Sequence, residues 1–269
     1  MPWKPILWYL ASLVIVCFHT FPIYITVVAS FKNIRDLSSK WTLPNQILLE
    51  NYEAAIHDGG FYSALSNTVI ITAFAMLIVI VVGAMTGYVL SRLNNRISNF
   101  IVLATLGVMM VPTISLIVPL YRIMMVVGGI NTYWAVVILA ATYQLPIAVF
   151  IYTNFIKTIP AALDEAAEID GCRPVSTFVR IILPQLGPVT STVTILTGVK
   201  IFNEYVFALY FLQSGDMRMI TTYVSSFFNE VSYINQASAA ALLGALPIVT
   251  VYILLQKWFV AGAMDSSVK

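Results

Sequence analysis

The sequence predicts an all-α integral membrane protein with six transmembrane helices and a helix–turn–helix in one internal loop. Of its 269 residues, 59% are hydrophobic and 10% are charged, whereas soluble domains have about 25% charged residues. Six stretches of mostly apolar residues reach the length of about 20 that a helix needs to cross a bilayer. Because lipid tolerates exposed apolar side chains and water does not, the chain is expected to lie within a lipid bilayer.

The candidate spans are separated by polar segments and show no repeat of fixed period. They cover residues 6–31, 69–90, 100–120, 133–155, 189–212 and 237–260. The first is longer than the apolar region of a signal peptide, about 7–15 residues, and is therefore expected to be retained. In the third, Pro112 and Pro119 predict a kink or an early break. We expect one integral domain over residues 1–269, with its longest internal loop at about 157–184.

The distribution of Lys and Arg predicts which loops face the cytoplasm, because short cytoplasmic loops carry an excess of both. With the N-terminus inside, eight basic residues lie inside, namely Lys4, Arg92, Arg96, Lys157, Arg173, Arg180, Lys257 and Lys269. Five lie outside, namely Lys32, Arg35, Lys40, Arg122 and Arg218. The excess predicts a multi-pass protein with both its N- and C-termini in the cytoplasm.

Several classes of function do not fit the sequence. A net charge of +2 and the lack of a basic stripe with interleaved aromatics argue against nucleic acid as a partner. The cysteines and histidines (Cys17, Cys172, His19 and His57) have no metal-ligand spacing, and we expect neither a metal site nor a disulfide. No nucleophile–base–orienter set is visible, so the chain is not expected to be an enzyme. Without a G-x-x-x-x-G-K-[ST] phosphate loop, it is not expected to bind ATP through one.

The internal loop has the pattern of a short amphipathic helix followed by a sharp stop. Residues 159–184 read IPAALDEAAEIDGCRPVSTFVRIILP. Pro160 suits a first helical position, and the acids that follow are favoured by the helix dipole, namely Asp164, Glu165 and Glu168. Gly171 ends the helix, in a conformation that we expect to need a positive φ.

A second short helix is expected to begin at Pro174 and to run through Phe178 and Ile181 toward Pro184. In the first helix, one face is formed at 3- and 4-residue steps by Ile159, Leu163, Ala166 and Ala167. Small alanines flanked by carboxylates would let a partner that carries Arg or Lys approach closely. The loop therefore predicts a rigid lever between a soluble partner and the membrane helices.

This loop resembles the EAA motif of binding-protein-dependent ABC importer permeases. That motif reads E-A-A, three residues, G, nine residues and I-x-L-P. Here the matching residues are Glu165-Ala166-Ala167, Gly171 and Ile181-Ile182-Leu183-Pro184, with every spacing kept. Seven specified positions over twenty residues make the match specific.

The resemblance extends over nearly the whole chain, which is similar to the shorter of two paired permeases in maltose-type carbohydrate importers. Further matching positions are Leu43-Pro44, Asn51-Tyr52, Asn67-Thr68 and Asn203-Glu204-Tyr205, where Phe202 replaces the usual tryptophan. The tail resembles the family at Val268-Lys269, but Ser266 stands where glycine is usual and a final glycine is missing. The tail's family role at the ATPase dimer interface is therefore an open question in this chain.

The resemblance implies a transmembrane permease subunit of an ATP-driven sugar or oligosaccharide importer in a plasma (inner) membrane. Its implied partners are a second permease subunit, a cytoplasmic ATPase dimer and an extracytoplasmic solute-binding protein. ATP and Mg²⁺ would be bound by the partner ATPase, with no cofactor in this chain. The implied ATPase-coupling residues are Glu165, Ala166, Ala167, Glu168, Asp170, Gly171, Ile181, Leu183 and Pro184.

Polar residues within the fifth span suggest a second candidate site. Lys200 and Glu204 are four residues apart and could pair on one helical face, which Thr190, Thr194 and Thr197 roughly continue. Such a stripe could line the solute path, with Asn203 and Tyr205 suited to a sugar, or it could be a structural pair at a subunit interface. Both interpretations remain open at this point.

An autonomous secondary transporter is the alternative function. Such proteins often contain repeated halves and broken helices around a site at the membrane midplane. The six spans show no clear repeat, and Glu204 is the only acid within them. Both observations favour the permease subunit.

Overall fold

The structure is a computed structural model that describes residues 3–33, 35–36, 38–57, 60–93, 95–228 and 233–265. All regular secondary structure in these ranges is helical. The α-helices are α1 (Trp3–Ser30), α2 (Glu50–His57), α3 (Phe61–Leu93), α4 (Arg96–Val108), α5 (Thr113–Val126), α6 (Tyr133–Ile156), α7 (Ala162–Ile169), α8 (Pro174–Thr177), α9 (Gly187–Phe202), α10 (Val206–Phe211), α11 (Ile220–Ser226) and α12 (Ile234–Asp265). The chain is therefore an all-α protein, as its composition predicts.

Five helical stretches are long and apolar enough to cross a membrane, and a bent pair of helices can form a sixth crossing. The five are Ile6–Ser30, Phe61–Leu93, Tyr133–Ile156, Pro174–Phe202 and Ile234–Lys257. The pair is α4 and α5, which meet at an angle of 93°. Pro112 lies at this break in extended conformation, and the helix ends there because proline lacks an N–H donor and disfavours a helical residue before it. The break predicted in the third span is thus confirmed.

The fifth predicted span, residues 189–212, is wrong as a single helix. Helix α9 ends at Phe202, and a separate short helix, α10, begins at Val206. In the other direction the helical stretch reaches back to Pro174, well before residue 189. The apolar run continues across the helix end, so hydrophobicity alone did not reveal the break.

Contacts within the chain define two compact units. The first extends to Leu65 and includes Ile220–Leu246, and the second consists of Ser66–Met219 and the chain from Pro247 onward. In the first unit, the ammonium group of the buried Lys32 donates hydrogen bonds to Ser38 Oγ at 2.8 Å and Thr42 Oγ1 at 3.0 Å. The buried Asn51 amide donates to the carbonyls of Ser30 and Lys32. These polar side chains fix the segment that follows α1.

In the second unit, helix α6 lies in the middle of the hydrophobic core and packs most extensively on α9. Tyr152 and Ile156 of α6 are completely buried, as are Ile71 and Val79 of α3. Gly87 of α3 allows α6 to come close, since a Cβ atom there would lie 2.7 Å from Tyr152 Cβ. This close approach between helices is what the Gly83–Gly87 spacing in the second span indicates.

Near the N-terminal end of α3, the buried Asn67 side chain joins three segments of the second unit. The Asn67 Nδ2 group donates to the carbonyl oxygens of Asp216 at 2.8 Å and Arg218 at 3.0 Å. Its Oδ1 accepts a hydrogen bond of 2.8 Å from the Tyr133 hydroxyl. One side chain thus joins the start of α3, the start of α6 and the segment before α11.

Candidate functional site

The candidate site is the loop between α6 and α9, whose first half is helix α7. Pro160 precedes the helix, and Asp164 and Glu165 lie in its first turn, where the helix dipole favours carboxylates. The Ala161 carbonyl accepts hydrogen bonds from the N–H groups of both residues. The first helix of the predicted helix–turn–helix is therefore present.

Gly171 ends α7 with a φ of +79°. The N–H of Gly171 donates to the Glu168 carbonyl at 3.0 Å, and the N–H of Cys172 donates to the Ala167 carbonyl at 2.8 Å. This pair of bonds is a Schellman motif, which requires a left-handed residue at the position of Gly171. The expected positive φ is confirmed, and its cause is the termination of α7.

The second half of the loop begins, as predicted, with Pro174 at the first position of α8. It continues as one turn of π-helix at Phe178–Ile182 and a 3₁₀ turn at Leu183–Leu186 before entering α9. Pro184 has no N–H to donate and its ring would clash with the Arg180 carbonyl in a regular α-helix, which accounts for the irregular turns. The helical stretch therefore passes through Pro184 into the membrane span, and this half of the loop is continuous with α9.

A charged side chain from a distant helix anchors α7. Arg92 Nη2, in the last turn of α3, lies 2.8 Å from Asp164 Oδ2. This contact is an ion pair between the guanidinium and the carboxylate. The other carboxylate oxygen, Asp164 Oδ1, accepts a hydrogen bond of 2.5 Å from the Tyr88 hydroxyl. Helix α3 thus binds Asp164 of α7 through two side chains, Arg92 and Tyr88.

The same arginine also holds the end of α6. Arg92 Nη1 donates to the carbonyl of Ile159 at 3.1 Å and, more weakly, to that of Ile156 at 3.4 Å. Ile156 is the last residue of α6 and Ile159 lies just after it, so the guanidinium is at the C-terminal end of this helix, where the helix dipole stabilises a cation. The Tyr88 ring lies 5.3 Å from the Phe178 ring, so α3 also contacts the π-helical turn.

The predicted coupling residues differ in exposure. Glu165, Ala166, Glu168, Asp170 and Pro184 are exposed, Leu183 is 41% exposed, and Ile181 is half-buried. Ala167 is 3% exposed, and Ile159, which lies before α7, is 7% exposed, whereas Leu163 of the same predicted face is 39% exposed. The prediction that Ala166 and Ala167 share one exposed face is wrong, because Ala167 packs inside its own chain.

Sequence reasoning missed Arg92 and Tyr88 and counted Asp164 only as one acid among three. The charge pattern identifies Arg92 only as one of the basic residues of the internal loops. A signal did exist: Tyr88 and Arg92 are one helical turn apart at the end of a span, so both point to the same side. Their partner on another loop could not be read from spacing.

The polar residues of the predicted fifth span do not form the expected pair. Lys200 is in the last turn of α9, whereas Glu204 lies beyond the helix end. The Glu204 Oε1 atom accepts a hydrogen bond of 2.8 Å from the Phe207 N–H and so caps α10 from the position before its N-cap residue, Tyr205. The predicted Lys200–Glu204 pair on one helical face is therefore wrong, and the helix end is its physical reason. Of their neighbours, Asn203 is exposed and Tyr205 is 38% exposed.

The threonines of the predicted stripe also have other roles. Thr190 accepts a hydrogen bond of 3.0 Å from the Tyr152 hydroxyl, and the buried Thr197 hydroxyl donates to the Val193 carbonyl. Thr194 lines a cavity of about 240 Å³ whose other walls are almost entirely apolar. A sugar, which needs several hydrogen-bonding groups, does not fit such a cavity. The threonines therefore do not extend a polar path along α9.

The scattered cysteines and histidines and the C-terminal tail are the two remaining sequence features. Among the residues that the structure describes, no group of three or more His, Cys, Asp or Glu side chains could hold a metal ion. The tail residues Ser266, Val268 and Lys269 lie outside the described residues.

Comparison with known proteins identifies close relatives in sequence. Residues 79–264 match the family described as binding-protein-dependent transport system inner membrane component. The chain is 35% identical to the melibiose/raffinose/stachyose import permease protein MelC of Bacillus subtilis, over 97% of this chain and 95% of that protein. It is 30% identical to the multiple sugar-binding transport system permease protein MsmG of Streptococcus mutans, over 99% and 96% of the two chains. For the trehalose/maltose transport system permease protein MalG of Thermococcus litoralis the identity is 28%, over 99% and 97%.

A solved structure with the same fold is a bacterial ABC transporter involved in the import of the acidic polysaccharide alginate. The TM-score is 0.81 over 95% of this chain and 96% of the other chain, with 19% sequence identity. At this low identity the likeness establishes the fold, an all-α membrane architecture.

Proposed function

Because the chain belongs to the family of binding-protein-dependent transport system inner membrane components, we propose that it is a permease subunit of an ATP-driven sugar importer. It crosses the membrane several times and leaves hydrolysis of ATP to a partner. The observation that carries the proposal is the loop 159–184, an acid-bearing helix–turn–helix held firmly against the membrane helices. An autonomous transporter has no need of such a docking element.

We place the chain in a plasma (inner) membrane with both termini in the cytoplasm. Support comes from the second unit, where Arg92, Lys157 and Asp164 come together at one end and Asn67 and Arg218 at the other. In a chain that crosses a membrane repeatedly, successive loops lie at alternate surfaces, so every second loop is found at the same end. Arg92 and Lys157, which the positive-inside rule counts as internal, are at the first of these ends, and Arg218, counted as external, is at the other.

The exposed face of α7 would dock on a cytoplasmic ATPase. Glu165, Glu168 and Asp170 are exposed and can meet Arg or Lys side chains of that partner, and the small Ala166 lets its backbone come near. ATP and Mg²⁺ would be held by the ATPase dimer, whose closure on ATP would displace the loop. The displacement would switch this chain and a second permease subunit between inward- and outward-open states.

We propose a small oligosaccharide as the solute, delivered by an extracytoplasmic binding protein. This follows from the relatives, whose names specify melibiose, raffinose, stachyose, trehalose and maltose. The last turn of α9 and the interruption before α10 carry hydrogen-bonding side chains, and we keep four of them as candidate solute-path residues, namely Lys200, Asn203, Glu204 and Tyr205. The exposed Asn203 amide and Tyr205 ring are the groups that suit a sugar best.

Purification from the native host tests the proposal. The chain, tagged at its C-terminus, is extracted in mild detergent and its co-purifying proteins are identified. We expect an ATPase and a second permease, and the reconstituted complex is expected to take up raffinose or maltose only with ATP and the binding protein. Purification of the chain alone, with uptake that needs no ATP, would instead establish an autonomous transporter.

A further inference from the structure

We propose that Arg92 and Asp164 form a mechanical joint through which the coupling loop moves α3, and that both are positioning residues for transport. The inference rests on the proposed function, since the joint has a role only if a partner displaces the loop. Such a joint would transmit force from the loop to α3 by a route that the covalent chain does not provide. The loop is covalently continuous with α6 and with α9, whereas α3 is joined to it only through side chains.

At the joint, Arg92 contacts three parts of the structure. Arg92 Nη2 lies 2.8 Å from the Asp164 carboxylate on α7, and Nη1 donates to the Ile159 carbonyl just after α6. The guanidinium also lies near the Tyr88 ring, with 5.9 Å between its central carbon and the ring centroid. Because Tyr88 donates to Asp164 as well, the carboxylate cannot leave Arg92 without also breaking a hydrogen bond. The end of α3 must therefore follow α7 when the loop is displaced.

Burial makes this joint stronger than a surface ion pair. The side chains of Arg92 and Asp164 are 20% and 19% exposed, whereas typical surface pairs are screened by water on most sides. Separating the pair would leave two poorly solvated charges, which is strongly unfavourable. The acids Glu165, Glu168 and Asp170 on the same loop are exposed, and so remain available to a partner. Asp164 therefore faces inward and anchors the loop, whereas the other three acids face outward, where a partner can bind them.

Helix α3 can carry the displacement to the far side of the second unit. From Asn67 to Arg92 it spans about 38 Å at 1.5 Å per residue, and the helix is unbroken. Asn67 binds the Asp216 and Arg218 carbonyls and the Tyr133 hydroxyl at that far end. Movement of α3 by the joint would therefore act directly on the segment before α11 and on the start of α6.

The test uses the whole reconstituted complex and compares uptake with ATP hydrolysis. Uptake of a labelled oligosaccharide that the wild type transports and hydrolysis of ATP are measured for three variants, namely Asp164→Asn, Arg92→Gln and Tyr88→Phe. Both rates are divided by the amount of complex recovered. We expect Asp164→Asn and Arg92→Gln to lower sugar uptake per ATP at least fivefold, while hydrolysis stays within twofold of wild type. Tyr88→Phe, which keeps the ion pair, is expected to lower sugar uptake per ATP two- to threefold. The matched control is Arg96→Gln, an exposed arginine four residues further along the chain at the start of α4, which should leave the ratio unchanged.

A charge exchange separates a joint from a merely structural contact. The double variant Arg92→Asp with Asp164→Arg restores the opposite charges, and we expect it to recover part of the uptake per ATP that each single change loses. Unchanged uptake per ATP in Asp164→Asn and Arg92→Gln would overturn the joint. Equal loss of uptake and hydrolysis in both would also overturn it, since that pattern marks a structural contact. A wild-type complex without ATP-dependent uptake would overturn the proposed function itself.

Discussion

Gly87 of α3 lies against Tyr152 of α6 so closely that a Cβ atom on the glycine would stand 2.7 Å from the Tyr152 Cβ. It would also lie 3.0 Å from the Thr153 backbone nitrogen, which cannot move aside as a flexible side chain can. Helices α3 and α6 therefore approach this closely because position 87 carries no side chain.

This contact predicts that Gly87→Ala destabilises the second unit. Overpacking in a well-packed core costs about 1–3 kcal/mol, and backbone atoms offer little room for relief. The melting temperature of the purified protein in detergent should fall measurably. The matched control is Gly107→Ala in α4, where a Cβ would meet nothing within 4 Å. Equal melting temperatures for Gly87→Ala and the wild type would show that the helices are not packed as described.

Substitutions at Gly171 should follow the tolerance of each residue for a positive φ. A Cβ at this position meets nothing within 4 Å, so the cost is one of backbone strain, about 1 kcal/mol or more for alanine. Asn visits the left-handed region more readily than other residues, so uptake per ATP should decrease from Gly to Asn to Ala to Val. Gly171→Asp is expected to uncouple transport from ATP hydrolysis. Transport that is insensitive to all of these changes would refute a conformational role for Gly171.

The Asn67 amide should be a stability determinant at its end of the second unit. Asn67→Ala removes three hydrogen bonds made by a buried side chain to partly exposed groups, at a total cost of about 1–3 kcal/mol. The control is Asn154→Ala, whose exposed amide bonds only to Phe150 in its own helix. Thermal unfolding of both variants measures the difference, and a similar small effect in the two would argue against the role given to Asn67.

Lys200 and Glu204 should behave as independent residues in stability. Glu204→Ala removes the cap of α10 and should cost about 1 kcal/mol, whereas Lys200→Gln should cost almost nothing. A double-mutant cycle on thermal stability measures the coupling between them, which we expect to be near zero. A coupling as large as the Glu204→Ala effect would restore the ion pair that the sequence suggests.

Much of the architecture could be read from the sequence because it depends on local properties. Apolar length predicts the spans, Pro112 predicts a break, and Gly171 and Pro174 mark the turn of the loop. The end of α9 at Phe202 could not be read, because apolar residues continue beyond it and the cap comes from Glu204. The burial of Ala167 and the contact between Arg92 and Asp164 depend on how distant segments pack, which spacing along one chain does not encode.

Cysteine crosslinking of the loop to the ATPase tests the central claim most directly. In a chain with Cys17 and Cys172 replaced by serine, single cysteines are placed at the exposed Glu165 and Glu168 and at the buried Ala167. We expect a short crosslinker in native membranes to join the two exposed positions to the ATPase, and to leave the buried position unlinked. If neither exposed position reached the ATPase while that protein still co-purified with the chain, the loop would not be the coupling element.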